Sequence, residues 1–153
     1  MNKEQKELIK KMDLVEDNTK YPICKYNNEG NIICKTYVDG TKDICEYNDK
    51  GKLIYETYAG GTKYEYNDKG YIICKTYADG TKYEYNDKGD IICKTYADGT
   101  KDTYEYNDKG DIICKTYANG IKYEYNDKGD IICKTYADGI YYIDGKYYKR
   151  KKE

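Results

Sequence analysis

Past residue 20 the chain alternates apolar and polar positions in short runs, and a glycine turn interrupts every run. This period-two alternation, rich in Tyr, Ile and Thr, predicts half-buried β-strands. One unit returns along the chain. Residues 83 to 101 read Tyr-Glu-Tyr-Asn-Asp-Lys-Gly-Asp-Ile-Ile-Cys-Lys-Thr-Tyr-Ala-Asp-Gly-Thr-Lys, and near-copies flank them on both sides. One glycine series runs Gly30, Gly51, Gly70, Gly89, Gly110 and Gly129. A second follows ten residues behind each: Gly40, Gly61, Gly80, Gly99, Gly120 and Gly139. Such a period marks one supersecondary unit copied many times, so the chain repeats a surface rather than building one site once.

The connections are tight. Asn-Asp-Lys-Gly suits a type I turn whose glycine takes the left-handed position of a G1 bulge, and Asp-Gly or Asn-Gly suits a two-residue hairpin. Tight links make successive strands antiparallel neighbours. The expected fold is all-β with one short N-terminal helix: an up-and-down meander of about 14 strands, curved, spiral or barrel-like. Residues 1–20 form the helix and linker, 21–150 the hairpin array, and 151–153 the end of a basic tail. The helix is expected over residues 3–17, with Leu8, Met12 and Val15 on one face beside Ile9, packed as a plug on the sheet. Pro22 and the run Lys149-Arg150-Lys151-Lys152 guard the two sheet edges.

The turns also imply a register. A two-residue Asp79-Gly80 loop sets Thr76 opposite Tyr83 and Cys74 opposite Tyr85. A three-residue Asp87-Lys88-Gly89 loop sets Tyr85 opposite Ile91 and Tyr83 opposite Cys93. Both place Ile91, Cys93, Thr95, Ala97, Tyr83 and Tyr85 on a buried face. Asp90, Ile92, Lys94, Tyr96, Lys82, Glu84 and Asn86 take the other, where Lys75 lies opposite Glu84. Two repeats are longer, by the inserted pairs Asp43-Ile44 and Asp102-Thr103, and an insertion of two preserves side-chain parity.

Composition narrows the chemistry. Among 153 residues, 27 are Lys or Arg and 28 are Asp or Glu, so no strong net field draws in nucleic acid or anionic membrane. There are 23 Tyr but no Phe, Trp, His or Ser, which removes Ser-His and Cys-His catalysis and every histidine metal site. No signal peptide or membrane-spanning run is apparent, and the expected setting is cytoplasmic, with all 7 Cys reduced.

The motif Tyr-x-Tyr-Asn-Asp-Lys-Gly-x-Ile, with a second glycine ten residues after the first, resembles the YD repeat of bacterial Rhs proteins and their teneurin relatives. The likeness covers about residues 21–139. The chain departs from the family pattern at Asn48, Asn67, Asn86, Asn107 and Asn126, where the family carries Asp. It departs again at Lys52, Tyr71, Asp90, Asp111 and Asp130, where the family carries Arg. The resemblance implies strands that spiral into a hollow shell, which in large members encloses a toxin. With 153 residues, neither a full cocoon nor a separate toxin-sized region is expected here, so the fold is expected to carry over and the toxin-delivery role is not.

Candidate sites follow from the expected faces. Cys74, Cys93, Cys114 and Cys133 read as small fillers between tyrosine rings. Cys24, Cys34 and Cys45 fall into one cross-strand row in this register, a minor candidate for a metal because no His or nearby fourth Cys completes it. Tyr37, Tyr58, Tyr77, Tyr96, Tyr117 and Tyr136 form an outer stripe, with lysines such as Lys82 and Lys101 across the hairpins. That stripe is either decorated sheet surface or a platform for a partner. The turn aspartates are explained by turn chemistry. No nucleophile–base pair, phosphate loop or cofactor fingerprint is found. The expectation is a non-enzymatic repeat protein without cofactor that binds another protein as inhibitor, immunity factor or adaptor, a phage-encoded blocker of a host defence enzyme being one version. Carbohydrate binding through the tyrosines and a purely structural array are the alternatives.

Overall fold

The computed structural model describes residues 1–12 and 22–150. Helix α1 spans Lys3–Lys11 and opens on a capping box: Asn2 Oδ1 accepts the Gln5 N–H and Gln5 Oε1 accepts the Asn2 N–H, both at 2.8 Å. Residues 13–17 of the expected helix, Val15 among them, lie outside the described residues. No residue of α1 is buried, and Leu8 and Met12 are 55% and 58% exposed. The described part of the helix therefore forms no plug on the sheet.

Fourteen strands follow: β1 (Ile23–Tyr26), β2 (Ile32–Thr36), β3 (Lys42–Tyr47), β4 (Leu53–Thr57), β5 (Lys63–Tyr66), β6 (Ile72–Thr76) and β7 (Lys82–Tyr85). The second half comprises β8 (Ile91–Thr95), β9 (Lys101–Tyr106), β10 (Ile112–Thr116), β11 (Lys122–Tyr125), β12 (Ile131–Thr135), β13 (Ile140–Ile143) and β14 (Lys146–Lys149). They form one antiparallel sheet in strict sequence order. β1 and β14 do not pair, so the sheet is open and not a barrel. Among the described residues each strand touches only its neighbours in sequence, and no second layer covers either face. Cys74, Cys114, Cys133 and Asp102 alone are buried there, so side chains on one face must cover each other.

Two turn details overturn the expected register. The Asp-Gly connections within the repeats are three-residue loops: the Tyr77 N–H donates to the Thr81 carbonyl at 2.8 Å and the Gly80 N–H to the Tyr77 carbonyl at 3.0 Å. Gly80 sits at φ +88°, and Asp79 Oδ1 takes the Thr81 N–H at 2.8 Å. A true two-residue turn occurs at Asp144-Gly145, where both φ angles are positive. The Asn-Asp-Lys-Gly turns match expectation, but a bulge follows each. Tyr85 pairs with Ile91 as foreseen, whereas Glu84 then pairs with Cys93 and Tyr83 with Lys94. Both slips, one in the Asp-Gly loop and one at the bulge beyond the Asn-Asp-Lys-Gly turn, are of one residue, so the two expected registers agreed with each other while both were displaced.

The faces are consequently repartitioned. Cys74, Thr76, Lys82, Glu84, Cys93 and Thr95 share a thiol face, on which Lys82 Nζ meets Glu84 Oε1 at 2.8 Å. Lys75 lies opposite Tyr83, not Glu84, and with Lys94 and Tyr85 it occupies a tyrosine face.

Adjacent turns are stapled. Lys52 Nζ donates to the Asp68 carbonyl at 2.6 Å and Lys88 Nζ to the Asp108 carbonyl at 2.5 Å. The two positions that depart from the YD pattern are bonded to each other. Asn86 Nδ2 donates to Asp90 Oδ2 at 3.0 Å, with equivalents from Asn107 to Asp111 and from Asn126 to Asp130.

Candidate functional site

The tyrosine face is assembled by local sequence. In Ile-Ile-Cys-Lys-Thr-Tyr, alternation after the bulge sends Lys and the final Tyr to one side, and the next strand adds both tyrosines of Lys-Tyr-Glu-Tyr. Lys75 Nζ then lies 4.3 Å from the Tyr77 ring centre and 5.2 Å from that of Tyr64. Lys94 stands 4.2 Å from Tyr96 and 5.6 Å from Tyr83, and Lys134 stands 4.5 Å from Tyr136 and 5.2 Å from Tyr123. Tyr77 meets Tyr83 edge-on at 5.8 Å, as Tyr58 meets Tyr64 at 5.6 Å and Tyr117 meets Tyr123 at 5.8 Å. Hydrogen bonding to Tyr77 and Tyr64 raises the Lys75 pKa, and Tyr123 and Tyr136 do the same for Lys134. These ammonium groups stay charged throughout the neutral range.

The face is not uniform. Register places Cys45, Glu56, Tyr64, Lys75, Tyr83, Lys94 and Asp102 in one straight cross-strand row. A second row contains Tyr104, Lys115, Tyr123, Lys134 and Tyr142, stepped along the strands by the two residues inserted in β9. At the step Asp102 is 4% exposed; its Oδ2 accepts the Tyr96 hydroxyl and its Oδ1 the Ala118 N–H, each at 2.7 Å. Asp43 repeats this in the other long unit, accepting the Tyr37 hydroxyl at 2.5 Å and the Ala59 N–H at 2.7 Å. A second phenol of each long unit reaches backbone: Tyr47 and Tyr106 donate to the carbonyls of Ile32 and Ile91, at the preceding bulges.

Glu56 stands where other repeats have Lys. Its Oε2 accepts Tyr66 at 2.6 Å and Tyr58 at 3.2 Å, and its Oε1 lies 3.9 Å from Cys45 Sγ. Burial and the Glu56 carboxylate push the Cys45 thiol up, which makes it a poor nucleophile at neutral pH. Glu56 therefore interrupts the repeat lysines between Lys35 and Lys75.

The candidate residues are redistributed accordingly. Tyr37, Tyr58, Tyr77, Tyr96, Tyr117 and Tyr136 do share a face, but with Tyr64, Tyr83 and Tyr123, which had been expected on the opposite one. Tyr58 and Tyr77 are the more open of the six, at 43% and 38%. Lys82 and Lys101 lie on the thiol face, away from the rings: Lys82 pairs with Thr76 and Thr95, and Lys101 with Thr95. The row of Cys24, Cys34 and Cys45 does not form. Cys34 lies opposite Lys25 and Ile44, while Cys24 and Cys45 lie opposite Lys35 and Glu56 on the other face. Among the described residues no group of three His, Cys, Asp or Glu side chains converges. The lysines of the repeat, Lys75, Lys94, Lys115 and Lys134, were missed because the bulge that brings them among the rings has no glycine to announce it.

A shallow depression lined by Tyr66, Tyr71, Ile72 and Tyr85 opens beside the Asn-Asp-Lys-Gly turns. Among the described residues no helix is long and apolar enough to cross a membrane.

No known family profile matches this chain, and no curated protein does. Solved structures of similar shape include a TcdB2-TccC3-Cdc42 crystal structure (TM-score 0.36, 16% identity, 74% of this chain and 7% of that one). Another is the Photorhabdus luminescens Tc holotoxin pore (TM-score 0.37, 17% identity, 74% of this chain and 7% of that one). The chain thus spans a small fraction of the length of either. What the chain shows in its own right is a tandem antiparallel hairpin meander with a tyrosine–lysine face.

Proposed function

We propose that this chain is a non-enzymatic repeat protein, of YD-repeat type, that binds a partner protein through its tyrosine–lysine face. The observation that carries this reading is the recurrence of one motif, a lysine ammonium held between two tyrosine rings, at Lys75, Lys94 and Lys134. Aromatic side chains dominate the energetic centres of protein interfaces because they bring large area at small entropic cost. Among the described residues each strand contacts only its sequence neighbours, which leaves the face uncovered by them. Catalysis finds no support: the sequence contains no His or Ser, and Cys45 is pushed toward the protonated form. An inhibitor, immunity or adaptor role in the cytoplasm agrees with this reading. The exposed rings of Tyr58 and Tyr77 favour, as a second reading, stacking on sugars.

The test compares the parent with a Tyr77→Thr, Tyr117→Thr double variant in capture from the native host followed by mass spectrometry. Thr retains β-propensity and removes the ring. Tyr96 is left in place because its hydroxyl is bonded to buried Asp102. A partner protein bound by the parent and lost from the variant supports the proposal. Equal capture by both proteins rejects this face, and binding on a glycan array without a protein partner favours the sugar reading.

A further inference from the structure

The two faces differ in charge balance. On the thiol face two of the three Lys-Tyr-Glu-Tyr strands close a compensating ion pair, Lys82–Glu84 at 2.8 Å and Lys122–Glu124 at 2.7 Å. On the tyrosine face from β6 to β12 the strand residues include Lys75, Lys94, Lys115 and Lys134, none of them in an ion pair among the described residues. The one strand acid there, Asp102, is 4% exposed and occupied by Tyr96 and Ala118. A chain of near-zero net charge therefore presents one cationic, ring-lined stripe.

The stripe has a spacing. Lys75 and Lys94 lie in line with one strand between them, as do Lys115 and Lys134. Two strand spacings are about 9.6 Å. A polyproline II segment completes a turn every three residues over about 9.3 Å, projecting every third side chain from the same side. Carboxylates at positions i and i+3 of such a segment would meet both ammonium groups of one pair. The residues between them would lie on the tyrosine rings, the kind of platform on which polyproline segments are recognised. The segment would run across the strands, so it would not need a free sheet edge.

We infer that the partner presents an acidic segment in polyproline II conformation, with a carboxylate at every third residue, and that Lys75–Lys94 and Lys115–Lys134 are two subsites for it, although Lys115 meets only the Tyr125 ring, at 5.9 Å. This rests on the reading of the tyrosine–lysine face as a protein-binding surface.

The probe is a synthetic peptide of repeated Pro-Pro-Glu triplets, titrated calorimetrically into the full chain at low salt. It should bind at least about tenfold more tightly than its Pro-Pro-Gln counterpart, and more tightly than a peptide of equal composition with its glutamates in one block. Rising salt should weaken it. A Lys94→Gln, Lys134→Gln variant, one lysine from each subsite, should lose about tenfold, while Lys122→Gln on the thiol face should leave binding unchanged. Backbone amide exchange of the variants, unchanged from the parent, establishes that folding is intact. Equal binding of the glutamine or block peptides, or no effect of the double variant, overturns the inference. An oligosaccharide of linked uronic acids that binds where the triplet peptide does not also overturns it. If no triplet peptide binds but a host protein is still lost from the Tyr77→Thr, Tyr117→Thr variant, the acidic-segment inference falls and the interface reading stands. If the captured protein is retained by that variant, the interface reading falls.

Discussion

The hydroxyl of Tyr96 donates to Asp102 Oδ2 at 2.7 Å, and through this bond an inserted residue in one repeat fixes the turn of the repeat before it. The other carboxylate oxygen takes the Ala118 N–H, in a later turn of its own repeat, at 2.7 Å, so one buried acid ties two successive units. Asp43 does the same between Tyr37 and Ala59. The long repeats are thus structural nodes at which the lysine–tyrosine row steps sideways.

Asp102→Ala removes the acceptor of two hydrogen bonds and leaves a backbone N–H and a phenol short of a partner. The expected cost is about 2–4 kcal/mol in urea denaturation, with faster exchange of the Ala118 amide. Asp102→Asn, which keeps one carbonyl oxygen, should cost less. A loss below about 0.5 kcal/mol for the alanine variant would show that water replaces the carboxylate.

Asn107 Nδ2 donates to Asp111 Oδ2 at 3.1 Å across the base of its turn. Replacing Asn107 by Asp sets two carboxylates against each other, and destabilisation of about 0.5–1 kcal/mol is expected. Adding Asp111→Arg, which restores the Asp and Arg of the YD pattern, should recover the loss. A double variant no better than the single would break the pairing argument.

The turn glycines separate conformation from packing. Gly80 sits at φ +88°, and a Cβ there would meet only Ala97 Cα, at an unstrained 4.0 Å, so Gly80→Ala should cost about 1–2 kcal/mol through backbone strain. Gly60 has no such φ and no neighbour within 4 Å, and it stands where other repeats have Asp. Gly60→Asp should stabilise by about 0.4–1 kcal/mol by restricting the unfolded chain and accepting a turn N–H, as Asp79 does for Thr81. Melting curves of the two variants should move in opposite directions.

Tyr66 is raised well above the usual phenol range, first by burial and then by its bond to Glu56. Burial raises Tyr85, Tyr104 and Tyr106 in the same way. A phenol that holds its proton longer folded than unfolded contributes stability that is complete below about pH 10 and lost as pH climbs above it. Stability measured by denaturant should therefore be level across neutral pH and begin to fall near about pH 9 through the raised thiols of Cys45, Cys74 and Cys114. It should fall further above about pH 10, with a shallower second fall in Tyr66→Phe. Stability that rises over that alkaline range would contradict the assignment.

Cys74, Cys114 and Cys133 are buried, and burial raises the thiols of Cys74 and Cys114. Iodoacetamide followed by peptide mass spectrometry should modify the half-buried Cys24, Cys34 and Cys93 first and these three last. Even reaction of all the thiols would mean that the thiol face opens freely in solution.

The architecture is legible in the repeat alone. Two tight turns per unit and period-two alternation admit little except an antiparallel meander, because short connections forbid parallel strands. The repeat also places Tyr37, Tyr58, Tyr77, Tyr96, Tyr117 and Tyr136 on a common face, since equivalent positions in equivalent units must share one. Which neighbours those tyrosines have depends instead on how the strands pair. Side-chain facing has a period of two, so one unseen residue inverts a strand relative to its partner. Here two such residues were hidden: Ala78, which joins Asp79-Gly80 in a three-residue loop, and the bulged position after Gly89. Neither has a residue type that announces it. Their effects moved Lys75 and Lys94 among the rings, sent Lys82 and Lys101 to the other side, and separated Cys34 from Cys24 and Cys45. The extra aspartates were legible as insertions, but their purpose was not. Only the pairing of strands brings the carboxylate of Asp102 between a phenol six residues before it and an amide sixteen residues after it.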